Sequence, residues 1–179
     1  TFERGICLLQ EDGQGGVSFH CAPDQLTNYP IGDFHKVRRI TETRDSVIIV
    51  SASNGLVTFS ERFTDPAAIR FYAHKHVQGD STSLMTSDVM QAFVTDRDSV
   101  FIATVGGGVQ LVRADELLSD KLRLHSVSRM LTDQGTVMTI LQDKRGNLWT
   151  GRENSINMFD HASHQLWRFG PSHIGEHTE

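Results

Sequence analysis

The chain has 179 residues, 38% of them hydrophobic and 22% charged, with a formal net charge of −5. That length is enough for one domain, and no apolar run approaches the ~20 residues a helix needs to cross a bilayer. The acid excess argues against nucleic acid as a partner, since such binding depends on a clustered cationic face.

In chain order, Thr1-Phe2-Glu3-Arg4 lacks the basic and then apolar pattern of a signal peptide, so a mature chain or a piece cut from something larger is expected. Ile6-Cys7-Leu8-Leu9 and Gly15-Gly16-Val17-Ser18-Phe19 follow, and read as the second and third strands of a truncated unit turning around Asp12 to Gly15. Two cysteines make neither a disulfide framework nor a zinc site, which wants four close-set ligands. That hairpin would nonetheless put Cys7 and Cys21 nearly opposite each other. The favoured reading is two separate half-buried thiols; the alternative is a cross-strand disulfide, which requires an oxidising compartment.

Three longer units then repeat one pattern of strand, polar turn, strand, Gly/Asn/Ser turn and strand, over residues 36–58, 89–111 and 137–158. Period-two alternation places further strands at 69–73, 122–127 and 165–169 as the outermost of each unit. With Val17, Leu56, Val109 and Ile156 taken as equivalent, the units are 39, 53 and 47 residues apart. A repeat of this length with three or four strands is the sequence signature of propeller blades. The expected fold is all-β, a β-propeller segment of about four blades of four-stranded antiparallel sheet and part of a larger propeller. The blades would fall at about 1–33 (incomplete, lacking its innermost strand), 34–88, 89–136 and 137–179, with long polar connections at 75–88 and 128–136. The tail 174–179 is too polar to supply the missing strand.

The string Asp143-Lys144-Arg145-Gly146-Asn147-Leu148-Trp149 shapes a hairpin. An Asp closing a strand accepts hydrogen bonds from the turn amides, and Gly three residues on takes a positive φ. Asp45 and Asp98 are expected to hold the place of Gly146 in the other copies. Trp149 then aligns with Phe101, Ile48 and Cys7, a column that reads as packing between neighbouring sheets rather than as a sugar-stacking surface, because it lies mid-strand in every copy.

The last copy, through Val137, Ile140, Asp143, Gly146, Asn147, Leu148, Trp149 and Gly151, resembles the two-component-regulator propeller repeat found in periplasmic sensors of hybrid two-component systems, chiefly of gut Bacteroidetes. It departs at Arg152, where the repeat usually has Thr, and at Ser155, where it usually has Gly. The middle copies keep Asn54-Gly55 or Gly107-Gly108 and lose the Trp. The resemblance implies a periplasmic sensor segment whose parent is anchored in the inner membrane, carries a histidine kinase and detects oligosaccharides. No kinase motif stands in this chain.

The residues themselves offer little for catalysis, and the segment is expected to be no enzyme, with no cofactor and no metal. His74 and His76, the one close histidine pair, read as solvated loop residues. Glu11-Asp12 and Asp96-Arg97-Asp98 read as turn acids. The alternatives are the propeller part of a polysaccharide lyase or hydrolase, or a protein-interaction scaffold, since fold does not fix function. Propeller topology gathers the turns between second and third strands with the connections between blades on one face. On that face Asn54, Arg152, Glu153 and Asn154 are the candidate ligand-binding residues, able to bracket sugar hydroxyls with paired donors and acceptors. The expected partners are an oligosaccharide and the remaining blades of the parent or a second copy of the chain, with no nucleic acid and no membrane contact through this segment.

Overall fold

The structure, a computed structural model, describes residues 4–22, 25–95, 97–127, 131 and 135–171. Most of the 128–136 connection, Asp96 and the 174–179 tail lie outside the described residues. The chain forms blades of a β-propeller. Strands β1 (Cys7–Glu11) and β2 (Val17–Cys21) make a two-stranded sheet. Three four-stranded antiparallel sheets follow. The second blade holds β3 (Val37–Glu42), β4 (Val47–Ala52), β5 (Gly55–Ser60) and β6 (Tyr72–His74). The third holds β7 (Val89–Val94), β8 (Ser99–Thr104), β9 (Gly108–Arg113) and β10 (His125–Ser126). The fourth holds β11 (Thr139–Gln142), β12 (Leu148–Gly151), β13 (Ile156–Phe159) and β14 (Leu166–Phe169). One helical turn, α1 (Ile31–Phe34), lies in the connection from first to second blade.

The alternation read from the sequence is what stacks these sheets. Each strand sends alternate residues to opposite faces, so each sheet has two apolar faces and buries one against each neighbour. Ile6 and Ala22 meet Val50, Val57 and Phe59 in the first seam. Ile49 and Leu56 meet Ala92, Val100 and Ile102 in the second. Phe101, Ala103 and Val109 meet Ile140 and Leu148 in the third. The inner strands are also stitched by polar groups: Thr41 Oγ1 donates to Ala92 O (2.9 Å), Ala92 N donates to Ser51 Oγ (3.0 Å), and the Gln91 amide both donates to Ile140 O (3.2 Å) and accepts from Ile140 N (3.1 Å).

Two sequence readings are corrected. First, β1 and β2 are the third and fourth strands of their blade, not the second and third. Gly5 N donates to His35 O as Gly108 N donates to Gly135 O, and the two glycines share φ values of +69° and +70°. Ala22 N donates to Ile6 O as Val127 N donates to Val109 O. Ile6, not Val17, is therefore the equivalent of Val109, and Cys7 stands outside the Trp149 column. The two cysteines are directly paired in register and joined by a disulfide, against the favoured reading of separate thiols. Antiparallel pairing brings their Cα atoms to 4.0 Å, which a turn of unspecified length could not guarantee from sequence.

Second, the second blade is offset by one residue. Its tight turn takes the positive φ at Ser46 (63°), not Asp45, where the third and fourth use Asp98 (56°) and Gly146 (86°). Ser46 N donates to Thr43 O as Asp98 N donates to Thr95 O and Gly146 N to Asp143 O. The column is thus Ile49, Phe101 and Trp149. Ile49 is fully buried and Phe101 buried, whereas Ile48 and Trp149, both expected inside, are half-buried. Trp149 lies on the face of β12 turned away from the third blade, with Phe169 stacked on it at 6.1 Å.

Candidate ligand-recognition site

The turns between second and third strands and the connections between blades do meet on one face. Thr86 Oγ1 donates to Val105 O (2.8 Å), Gly106 N to Thr136 Oγ1 (3.3 Å) and Asn54 Nδ2 to Asp33 Oδ1 (3.2 Å). Each contact joins a turn of one blade to the connection that precedes or follows that blade. At the third blade the fit is tight: a Cβ on Gly107 would stand 2.7 Å from Met85 Cβ. A ligand finds no room at that turn.

At the fourth blade the same turn is described together with Gly135 and Thr136 of the connection before it. Arg152 N donates to Ser155 O (2.9 Å), closing the turn. The side chains of Arg152, Glu153, Asn154 and Ser155 line a concavity of about 300 Å³ with Thr136. The Arg152 guanidinium lies over Gly135, where a Cβ would come within 2.6 Å of Nη2. Glu153 and Asn154 are exposed, Arg152 half-buried. A guanidinium, a carboxylate, a carboxamide and two hydroxyls together offer donors and acceptors in alternation, the chemistry that vicinal hydroxyls match.

Three of the four residues chosen from sequence therefore share one concavity. Asn54 does not join them. It binds Asp33, whose other carboxylate oxygen takes Lys75 Nζ at 2.6 Å, so Asn54 belongs to a closed junction of the first, second and third blades. Thr136 and Ser155 were not chosen. Ser155 had a signal, being one of the two departures from the repeat pattern; Thr136 had none, since its role depends on where the preceding connection lands.

The motif beside this turn is structural. Asp143 Oδ1 accepts from Arg145 N (2.9 Å) and Asn147 N (3.0 Å), and Oδ2 from Asn147 Nδ2 and Trp149 Nε1, both at 3.0 Å. These bonds, that from Trp149 foremost, hold its carboxyl below the usual carboxylate range. Thr43 and Thr95 serve the corresponding turns with hydroxyls.

No protein-family model and no curated sequence matches the chain. Solved structures similar in fold include the extracellular domain of the putative hybrid two-component system BT3049 from B. thetaiotaomicron (TM-score 0.67, 15% identity, 93% of this chain and 22% of that one). That of the putative hybrid two-component system BT4673 from the same organism aligns with TM-score 0.67, 17% identity, 93% of this chain and 22% of that one. PorZ, a bacterial surface component of the type-IX secretion system of Porphyromonas gingivalis, aligns with TM-score 0.62 and 12% identity over 89% of this chain and 23% of that one. The chain thus spans less than a quarter of the length of these proteins.

Proposed function

We propose that this chain is a ligand-recognising, non-catalytic segment of the extracytoplasmic sensor region of a hybrid two-component signalling protein, and that its ligand is an oligosaccharide. The observation that carries the reading is that both departures from the repeat pattern, Arg152 and Ser155, line one polar concavity together with Thr136 of the preceding connection. The fold shared with extracellular domains of such systems supports it, as does a disulfide, which persists in oxidising compartments. The parent would be anchored in the inner membrane and would carry a histidine kinase. The apolar flank of the first blade (Leu9, Val17, Phe19) and that of the fourth (Leu141, Ile156, Trp167, Phe169) would be covered by further blades of that parent or by a second copy of this chain.

A sensor binds without consuming its ligand, and its output comes from a shift that the ligand favours differentially. An oligosaccharide panel should therefore leave reducing-end assays flat while one class raises the melting temperature of the complete sensor region. Arg152→Ala or Asn154→Ala should remove that rise. Bond cleavage lost on changing a single loop acid would replace the sensor by a lyase or hydrolase.

A further inference from the structure

At the outer end of the seam between second and third blades lies a second concavity, of about 330 Å³, remote in sequence from the Arg152 turn. Its floor is Leu84, Leu122 and Leu124, all buried, and its rim carries Lys75, Asp80, Asp120 and Lys121. His74 enters it from β6. The antiparallel register sets His74 opposite Leu56, so its imidazole lies on the face turned to the third blade. Only 7% of His74 is exposed, and its Nε2 is buried without a hydrogen-bond partner. This corrects its reading as a solvated loop residue; His76, in the connection beyond, binds Leu84 O through Nδ1 at 2.7 Å.

Nothing in the blade architecture asks for a polar group here. The equivalent of His74 is Ala22 in the first blade and Val127 in the third, each following its outer strand and packed in a seam. A buried nitrogen without a partner is destabilising, and an apolar residue would avoid that.

We propose that this seam is a binding site for a neutral, hydroxyl-bearing small molecule of monosaccharide or cyclic-polyol size, hydrogen-bonded through His74 Nε2. Each rim charge is already compensated: Asp80 by Lys121 at 2.9 Å, Asp120 by Arg70 at 2.9 Å, Lys75 by Asp33 at 2.6 Å. An ionic ligand would have to break one of these pairs; a neutral one breaks none. A hydroxyl both donates and accepts, so it satisfies either tautomer of a neutral imidazole. The leucine floor suits the C–H face of such a ring.

The test is a titration of the chain with D-glucose, D-galactose and myo-inositol, with D-glucuronate as the anionic arm, followed by the imidazole nitrogen resonances of 15N-histidine. At least one neutral polyol should displace the His74 signals saturably. His74→Phe should weaken its binding about tenfold, the loss of one hydrogen bond to a buried group, and His74→Gln should recover part of it. Arg152→Ala should leave it unchanged, which separates this site from the oligosaccharide reading. No saturable displacement, displacement by glucuronate alone, or unaltered binding in His74→Phe would each overturn the proposal. The wild-type titration decides even if the variants fail to fold.

Discussion

The two faces of the fourth blade both carry large apolar side chains and differ in what covers them. On the face toward the third blade, Ile140, Leu148, Thr150 and Asn157 are buried. On the other, Leu141, Ile156, Trp167 and Phe169 are 41–57% exposed. The register makes these faces alternate strictly, since Trp149 opposes Leu141 and Met158, while Thr150 opposes Ile140 and Asn157. A blade is thus a two-faced apolar sheet whose stability belongs to its seams, and a flank this apolar has the composition of a seam.

The largest effects should come from cutting into a closed seam. Ile102→Ala removes a fully buried side chain between second and third blades, and should cost about 3–4 kcal/mol in urea unfolding. Trp167→Ala on the open flank should cost far less in the isolated chain. Comparable losses at both positions would show that the flank is already covered, and light scattering would then find an associated species that Trp167→Asp disperses.

Next in size is the acid response of the same closed seam. Burial pushes the His74 imidazole down to about 4, with Asp120 opposing; Lys75, Lys121 and Asp80 are the other charges around it. The folded value lies below the ordinary 6.5, so the unfolded chain binds the proton first, and stability falls as pH drops from about 6.5 to about 4. The loss is on the order of 3 kcal/mol. His74→Leu should flatten that slope and raise stability at pH 5. A variant with an unchanged slope would place the titrating group elsewhere.

Among the described residues the first sheet pairs two strands, β1 and β2, and the Cys7–Cys21 disulfide joins them covalently. Closing a loop of this size stabilises by roughly 3 kcal/mol in the chain-entropy account. Cys7→Ser with Cys21→Ser should raise amide exchange across β1 and β2 while leaving β8 and β9 protected.

The sequence carried the blades because alternation and the Asp-x-x-Gly turn are local. It placed the strands of the second, third and fourth blades to within a few residues. It misplaced the first hairpin because a third-to-fourth strand turn at Asp12 and a first-to-second strand turn at Asp143 use the same bonds: Gly16 N and Gln14 N to Asp12 Oδ1, Asn147 N and Arg145 N to Asp143 Oδ1. Only the long-range bonds Gly5 to His35 and Ala22 to Ile6 distinguish them. Arg152, Glu153 and Asn154 were legible as neighbours because the four-residue turn 152–155 holds them together. Asn54 stands apart from them because its partner Asp33 comes from the preceding connection, and the seam position of His74 was hidden because it rests on pairing with Leu56.

The smallest effect expected is at the turn itself, and its pH slope has the same sign as that of His74, since both groups bind the proton more weakly in the folded chain. Asp143 is held below the usual carboxylate range by bonds from Trp149, Asn147 and Arg145, so its contribution is present above the unfolded value of about 3.9 and is lost as pH falls through the lower folded one. Asp143→Asn keeps one oxygen for the turn amides and puts an NH2 where Oδ2 accepts from Trp149 Nε1 and Asn147 Nδ2, so both of these donors lose their acceptor. The melting temperature should fall slightly at neutral pH, by less than for Ile102→Ala. The difference between variant and wild type should vanish at strongly acid pH, where the wild-type carboxyl is protonated too. Trp149 fluorescence reports the release of the indole directly. An unchanged emission would mean that packing against Phe169, not the bond to Asp143, fixes the ring.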